Sequence, residues 1–151
     1  MVRDSDGDII SRSPLPGSGD FQIEYVHSYY DAPAIEHFTA GEDGDFELVG
    51  VSSPSEAVLD YYELEGRKEI EGELLHLVPD EPQELEALPL IGTWRGGRTL
   101  VVSGERFPLY SEGGARHLVV EVERDTFGIE PRRMVGGLRP EESWQAEVLT
   151  D

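Results

Sequence analysis

From Phe21 onward the chain alternates apolar and polar residues in short runs, and this period-two pattern constrains its fold more than any other feature. Phe21, Ile23 and Tyr25 fall on one side and Gln22 and Glu24 on the other, the signature of a strand buried on one face. Pro33 marks a turn. A second strand is expected over 34–38, and an acidic turn over 41–44 closes a hairpin onto a strand over 46–51. Further strands are predicted over 58–62, 69–78, 99–102, 106–110 and 116–122, separated by turns at Gly66, Ser103-Gly104-Glu105 and Glu112-Gly113-Gly114. The segment 82–88 reads as one short helix or a proline-flanked loop. Seven or eight short strands without crossover helices predict an all-β fold, a single antiparallel β-sandwich or barrel-like domain with at most short helical segments.

The flanks look different. Residues 1–20 are rich in turn formers, with little to pack beyond Ile9, Ile10 and Leu15, and read as a flexible lead-in. The β domain spans 21–128. Residues 129–151 are rich in Arg, Gly and Pro and read as a tail, with at most one or two helical turns over 140–148. With 151 residues the chain is long enough for one domain with a real core.

Charge narrows the function. Thirty-two Asp and Glu face twelve Lys and Arg, a net charge of −20, and Lys68 is the sole lysine. Such a surface repels phosphates, which excludes nucleic acid and anionic lipid as partners. Because the acids are spread along the whole chain, the expected cause is halophilic adaptation, with a cation-collecting face as the other reading. Without cysteine there is no disulfide and no thiolate chemistry. No apolar run approaches the length of a transmembrane segment, and Met1-Val2-Arg3-Asp4 lacks the apolar stretch of a signal peptide.

The chemistry-bearing residues concentrate at Tyr25-Val26-His27-Ser28 and at Glu36-His37. Pairing of the strands around Pro33 is expected to bring His27 and Glu36 together across the hairpin, the carboxylate fixing the imidazole. Alternation places His37 on the face opposite Glu36. A hydrolase using His27, Ser28 and Glu36 is an alternative that the pattern disfavours, since adjacent strand residues point to opposite faces and no strained nucleophile turn is present. No catalytic residue is assigned. Arg95 and Arg98, with Trp94, Gly96 and Gly97, form a second candidate patch suited to an anion. Tyr29-Tyr30 and Tyr61-Tyr62 could line a platform for a ring, but core packing is the expectation for such pairs. Asp4-Ser5-Asp6-Gly7-Asp8 resembles a calcium loop only in part, its Gly coming too early and no closing Glu following, so a solvated turn is expected. The four histidines lack ligand spacing, and neither a metal nor a cofactor is expected.

The run Phe21-Gln22-Ile23-Glu24-Tyr25-Val26-His27-Ser28, followed by Pro33, Glu36 and Phe38, resembles the opening motif of the bacterial and archaeal family termed domain of unknown function 1850. The later stretch over 100–122, two β segments around a glycine turn, is similar to the family's C-terminal half. The resemblance implies an extracytoplasmic or cell-surface accessory of TAXI-type TRAP transporters, with transporter components or a small solute as partners. Taken with the residues, it gives a non-enzymatic ligand-binding module with His27, Ser28, Glu36, Arg95 and Arg98 as its contact residues. A protein-binding module with an acidic face is the remaining alternative, and it would present an unpaired edge strand or an apolar sheet face.

Overall fold

The structure, a computed structural model, describes residues 1–41, 43–125 and 143–148. In chain order the described elements are β1 (Val2–Asp4), β2 (Ile9–Pro14), β3 (Asp20–His27), β4 (Ala32–Ala40), β5 (Phe46–Ser53), α1 (Glu56–Tyr61), β6 (Gly66–Glu71) and β7 (Leu74–Pro79). They continue with β8 (Gln83–Leu85), β9 (Leu88–Gly92), β10 (Thr99–Val102), β11 (Glu105–Pro108), β12 (Arg116–Val120), β13 (Val122–Asp125) and β14 (Ser143–Val148). All described pairings are antiparallel. One sheet runs β11-β10-β3-β4-β5-β7-β6 with β8 beside β5; the other runs β13-β14-β2-β1-β12-β9. The two stack as a sandwich, and neither closes into a barrel.

The alternation seen from Phe21 is what builds the interface between them. In β3, Phe21, Ile23 and His27 are buried, and the register with β4 sets Phe21 against Phe38, Ile23 against Glu36, Tyr25 against Ala34 and His27 against Ala32. Cross-strand partners share a face, so all of these side chains point inward. Phe21, Phe38 and Phe46 meet with ring centroids 5.1 to 5.7 Å apart. Val2, Ile10, Leu118 and Val120 of the smaller sheet join the same buried cluster as Ile23, Val51 and Leu100 of the larger. Each such fully buried side chain contributes about 1.5–3 kcal/mol of transfer free energy.

Several expectations are corrected. Residues 1–20 are no lead-in: Val2 is fully buried, Ile10 and Leu15 are nearly so, and β1 pairs with β12 while β2 pairs with β14. The acidic stretch 4–8, expected as a solvated turn, is the exposed turn between β1 and β2. There the Asp4 carboxylate accepts the amides of Asp6 at 2.9 Å and Asp8 at 3.0 Å, and Gly7 takes a positive φ of 83°. Part of the supposed tail is likewise a strand, β14, set between β13 and β2; residues 126–142 and 149–151 lie outside the described residues. Glu42 of the 41–44 turn also lies outside them.

Residues 58–61 are helical, not extended, and Tyr62 caps the helix. Ser55 stands in extended conformation at the N-cap, Glu56 supplies a carboxylate to the first turn, and the consecutive buried pair Val58 and Leu59 fits a helix face, not a strand. The run over 69–78 is two strands, β6 and β7, turned at Gly72 with φ of 62°. The segment 82–88 carries β8 and the first residue of β9. Among the described residues, no helix is long and apolar enough to cross a membrane.

Candidate functional site

A cleft of about 610 Å³ opens where β3 ends, bounded by the inner face of β4, by α1 and Tyr62, and by the loop 93–97. That loop is held in place by short-range bonds. The Gly97 amide donates to the Thr93 carbonyl at 3.0 Å and the Gly96 amide to Thr93 Oγ1 at 2.9 Å. The Gly96 carbonyl then accepts the Val26 amide at 2.8 Å, extending the β3–β10 ladder past the end of β10.

The floor of the cleft is a polar network on an otherwise apolar face. Glu36, inward-facing on β4, accepts a hydrogen bond from the Tyr62 hydroxyl at 3.0 Å, and the Tyr62 and Tyr25 hydroxyls are hydrogen-bonded to one another. Arg98 places Nη1 3.9 Å from Glu36 Oε1 and its guanidinium carbon 4.3 Å from the centre of the Tyr25 ring. Burial raises the Glu36 pKa above its ordinary value, and the Arg98 charge and the Tyr62 hydrogen bond oppose that rise. Burial, followed by the nearby carboxylate, pushes the Tyr62 phenol far upward, so it stays a donor at any working pH. Tyr25 is also raised, chiefly by burial. The Arg98 side chain keeps 28% of its surface exposed, against 14% for Glu36, so the cation is the member of the pair that a solute can reach.

His27 does not meet Glu36, which corrects the expectation drawn from the hairpin. The turn falls over 28–31, ahead of Pro33, and Pro33 lies within β4 opposite Val26. The register therefore gives His27 to Ala32 and Glu36 to Ile23. Four residues of strand, about 13 Å at the usual rise, separate their positions. His27 staples the turn instead: its Nδ1 accepts the amides of Tyr29 at 3.3 Å and Tyr30 at 3.4 Å, and its carbonyl accepts the Asp31 amide at 2.7 Å. With Nδ1 engaged as an acceptor, the neutral ring carries its proton on Nε2. Ser28 stands exposed beside it, and the hydroxyl is no partner of Nδ1.

The structure thus brings His27, Ser28, Glu36 and Arg98 to one cleft, while Arg95 is exposed on the 93–97 loop and does not line it. Tyr25 and Tyr62 were not among the expected contact residues, although Tyr25 opens the run ending at Ser28 and Tyr62 belongs to a pair considered as a ring platform. Nothing local connects Tyr62 to a carboxylate 26 residues earlier. The expectation that the tyrosine pairs pack in the core also fails for three of the four. Tyr29, Tyr30 and Tyr61 are exposed, and they form an edge-to-face chain at the mouth of the cleft with His27, whose ring centre lies 4.6 Å from that of Tyr61. The side-chain oxygens of Asp4, Asp6 and Asp8 converge as a group, on the β1–β2 turn whose amides Asp4 already serves. The chain matches no protein-family model, no curated protein and no solved structure.

Proposed function

We propose that this chain is a non-enzymatic ligand-binding module whose cleft takes a small organic anion carrying a flat apolar group. The observation that carries the reading is the position of Arg98. Among the described residues its guanidinium is the only Lys or Arg group lining the cleft; it is stacked on Tyr25, and Glu36 lies beside it at 3.9 Å. A planar fork with free donors in a half-sheltered site suits a carboxylate. The exposed rings of Tyr29 and Tyr61 at the mouth offer stacking surface for the rest of the solute. Site-specific attraction is needed here because the net charge of −20 repels anions elsewhere on the surface.

The physiological setting we propose is outside the cytoplasm, at the cell surface, as an accessory of a TRAP-type solute transporter. Support for it comes from the motif at Phe21–Ser28 with Pro33 and Glu36, through its likeness to domain of unknown function 1850. The dispersed carboxylates support a high-salt working environment. A second reading, a protein-docking module, draws on β6, an edge strand exposed along its whole length with Ile70 80% exposed.

Thermal unfolding in the presence of aliphatic and aromatic carboxylates, at low and at molar salt, tests these readings together. A binding acid at a hundredfold excess over its Kd stabilises by about 2.7 kcal/mol, and the Arg98→Gln variant is expected to lose that response. If no acid shifts the midpoint, the cleft reading fails and the docking reading takes its place. A midpoint insensitive to salt removes the halophilic reading.

A further inference from the structure

The outer face of the larger sheet, turned away from the cleft, carries a second cluster of titratable side chains that the ligand-binding reading does not use. His37 on β4, Ser52 on β5 and His76 on β7 stand side by side across three adjacent strands. His37 Nε2 lies 2.8 Å from Ser52 Oγ, and His76 Nδ1 is hydrogen-bonded to the same oxygen. The two ring centres are 6.3 Å apart. Each imidazole is braced on its other nitrogen: Gln22 Nε2 is 3.3 Å from His37 Nδ1, and Glu71 Oε2 is 3.1 Å from His76 Nε2. The Glu71 contact lacks hydrogen-bond alignment, which leaves the buried His76 Nε2 with a charge beside it and no proper acceptor.

A β-bulge makes the arrangement fit. Val49 is the extra residue, so that His37 faces Gly50 and Phe38 faces Leu48. Gly50 stands beside the His37 ring, where a Cβ would meet His37 Cδ2 at an ordinary contact distance of 3.7 Å. Ser52 is 1% exposed, so the Ser52–His76–Glu71 series is no hydrolytic triad: no substrate reaches the hydroxyl.

We propose that His37 and His76 are the protein ligands of a transition-metal site, with Ser52 beneath the ion and Gln22 and Glu71 orienting the two rings. Two imidazole nitrogens that both touch one hydroxyl oxygen are within two hydrogen-bond lengths of each other, about 6 Å at most. Binding requires the His76 ring, whose side chain is 23% exposed, to rotate so that its Nδ1 comes within the roughly 2.0–2.1 Å of a zinc–imidazole bond. A half-turn of the Gln22 amide presents its carbonyl to His37 Nδ1–H and frees the Nε2 lone pair for the ion. Both rings then have a polar side chain behind them, the outer-shell pattern by which proteins fix metal-bound histidines. Nitrogen donors select Zn²⁺, Ni²⁺ or Cu²⁺ over Ca²⁺ and Mg²⁺. Glu71 adds negative potential at the open side, where water completes the coordination, while Glu69, opposite His76 in the β6–β7 register, has its carboxylate paired with Arg67 at 2.7 Å. The bound ion would tie β4 to β7 across β5.

Titration of the untagged protein with Ni²⁺, Cu²⁺ and Zn²⁺, followed by calorimetry and thermal unfolding, decides the matter. One equivalent is expected to bind and to raise the midpoint. His37→Gln and His76→Gln each weaken binding tenfold or more, Glu71→Gln weakens it about tenfold, and His117→Gln leaves it unchanged. Excess Ca²⁺ does not compete. Should a histidine variant unfold, the imidazole NMR signals of the wild-type protein give the answer: substoichiometric Cu²⁺ broadens those of His37 and His76 ahead of those of His27 and His117. Equal affinity in both histidine variants, broadening led by His27 or His117, or no saturable binding of any of the three ions overturns the proposal. Carboxylate binding in the cleft is scored separately, so either result stands without the other.

Discussion

Glu36 and His37 are consecutive residues of β4, yet they belong to opposite worlds. Glu36 points between the sheets into a cleft, where phenols and a guanidinium surround a carboxylate whose charged form burial disfavours. His37 points away from the core, where a serine hydroxyl, an amide and a second imidazole surround it. Its pKa is lowered, by burial first and by the neighbouring His76 second. The difference teaches that one strand of period two can serve two chemically unlike sites at no cost in sequence length, and that the sheet itself insulates them.

The strongest way to break the comparison is to damage one side alone. Gly92 ends β9 and leads into the loop that forms a wall of the cleft, and a Cβ there would lie 1.9 Å from the Leu109 carbonyl oxygen. Gly92→Ala is therefore expected to destabilise by about 3 kcal/mol in urea denaturation and to weaken carboxylate binding, with metal binding retained. A loss below about 1 kcal/mol would mean that the wall yields.

A double-mutant cycle sharpens the same contrast. Glu36→Ala removes the acceptor of the Tyr62 hydroxyl and the carboxylate beside Arg98, and Ser52→Ala removes the hydroxyl that both imidazoles contact, each at about 1–3 kcal/mol. If the sheet insulates the two faces, the double variant shows the sum to within about 0.5 kcal/mol. A larger coupling energy would show that β4 transmits strain between them.

The subtlest probe is pH. Burial lifts the folded-state pKa of Glu36 above its ordinary 4.5, so over that interval the folded protein holds a proton that the unfolded chain has released. Its contribution to stability is thus fully present below the unfolded pKa and is lost as pH rises through the folded one. Glu36→Gln keeps an acceptor for Tyr62 and removes the titration, and its stability curve is expected to be flatter than the wild-type curve over this window. A wild-type slope that survives the substitution assigns the effect to another group.

What the residues disclosed in advance follows from the range of the interactions involved. The hairpin strands and the one-sided set Phe21, Ile23 and Tyr25 were legible because alternation is local. The placement of Glu36 and His37 on opposite faces was legible for the same reason. The register was not: it depended on whether the chain turned at Pro33 or over 28–31, and the His27 ring accepting two turn amides decided it. Short strands such as β1 and β8 carry too few residues for any period to show, and β1 exists because β12 and β2 flank it. The Tyr25–Tyr62–Glu36–Arg98 network and the His37–Ser52–His76 cluster both join residues from separate elements, and no spacing in the chain announces them.

The pairing of Ser11 with Val148 and of Val2 with Val120 has a consequence for how the molecule is made. Synthesis proceeds from the first strand to the last, so β1 and β2 leave the ribosome long before the partners that flank them exist. The β3–β4–β5 meander can form while translation continues, but the smaller sheet must wait for nearly the whole chain, exposing Val2 and Ile10 meanwhile. Like-charged chains repel one another, so a net charge of −20 opposes adhesion between such waiting segments of neighbouring chains.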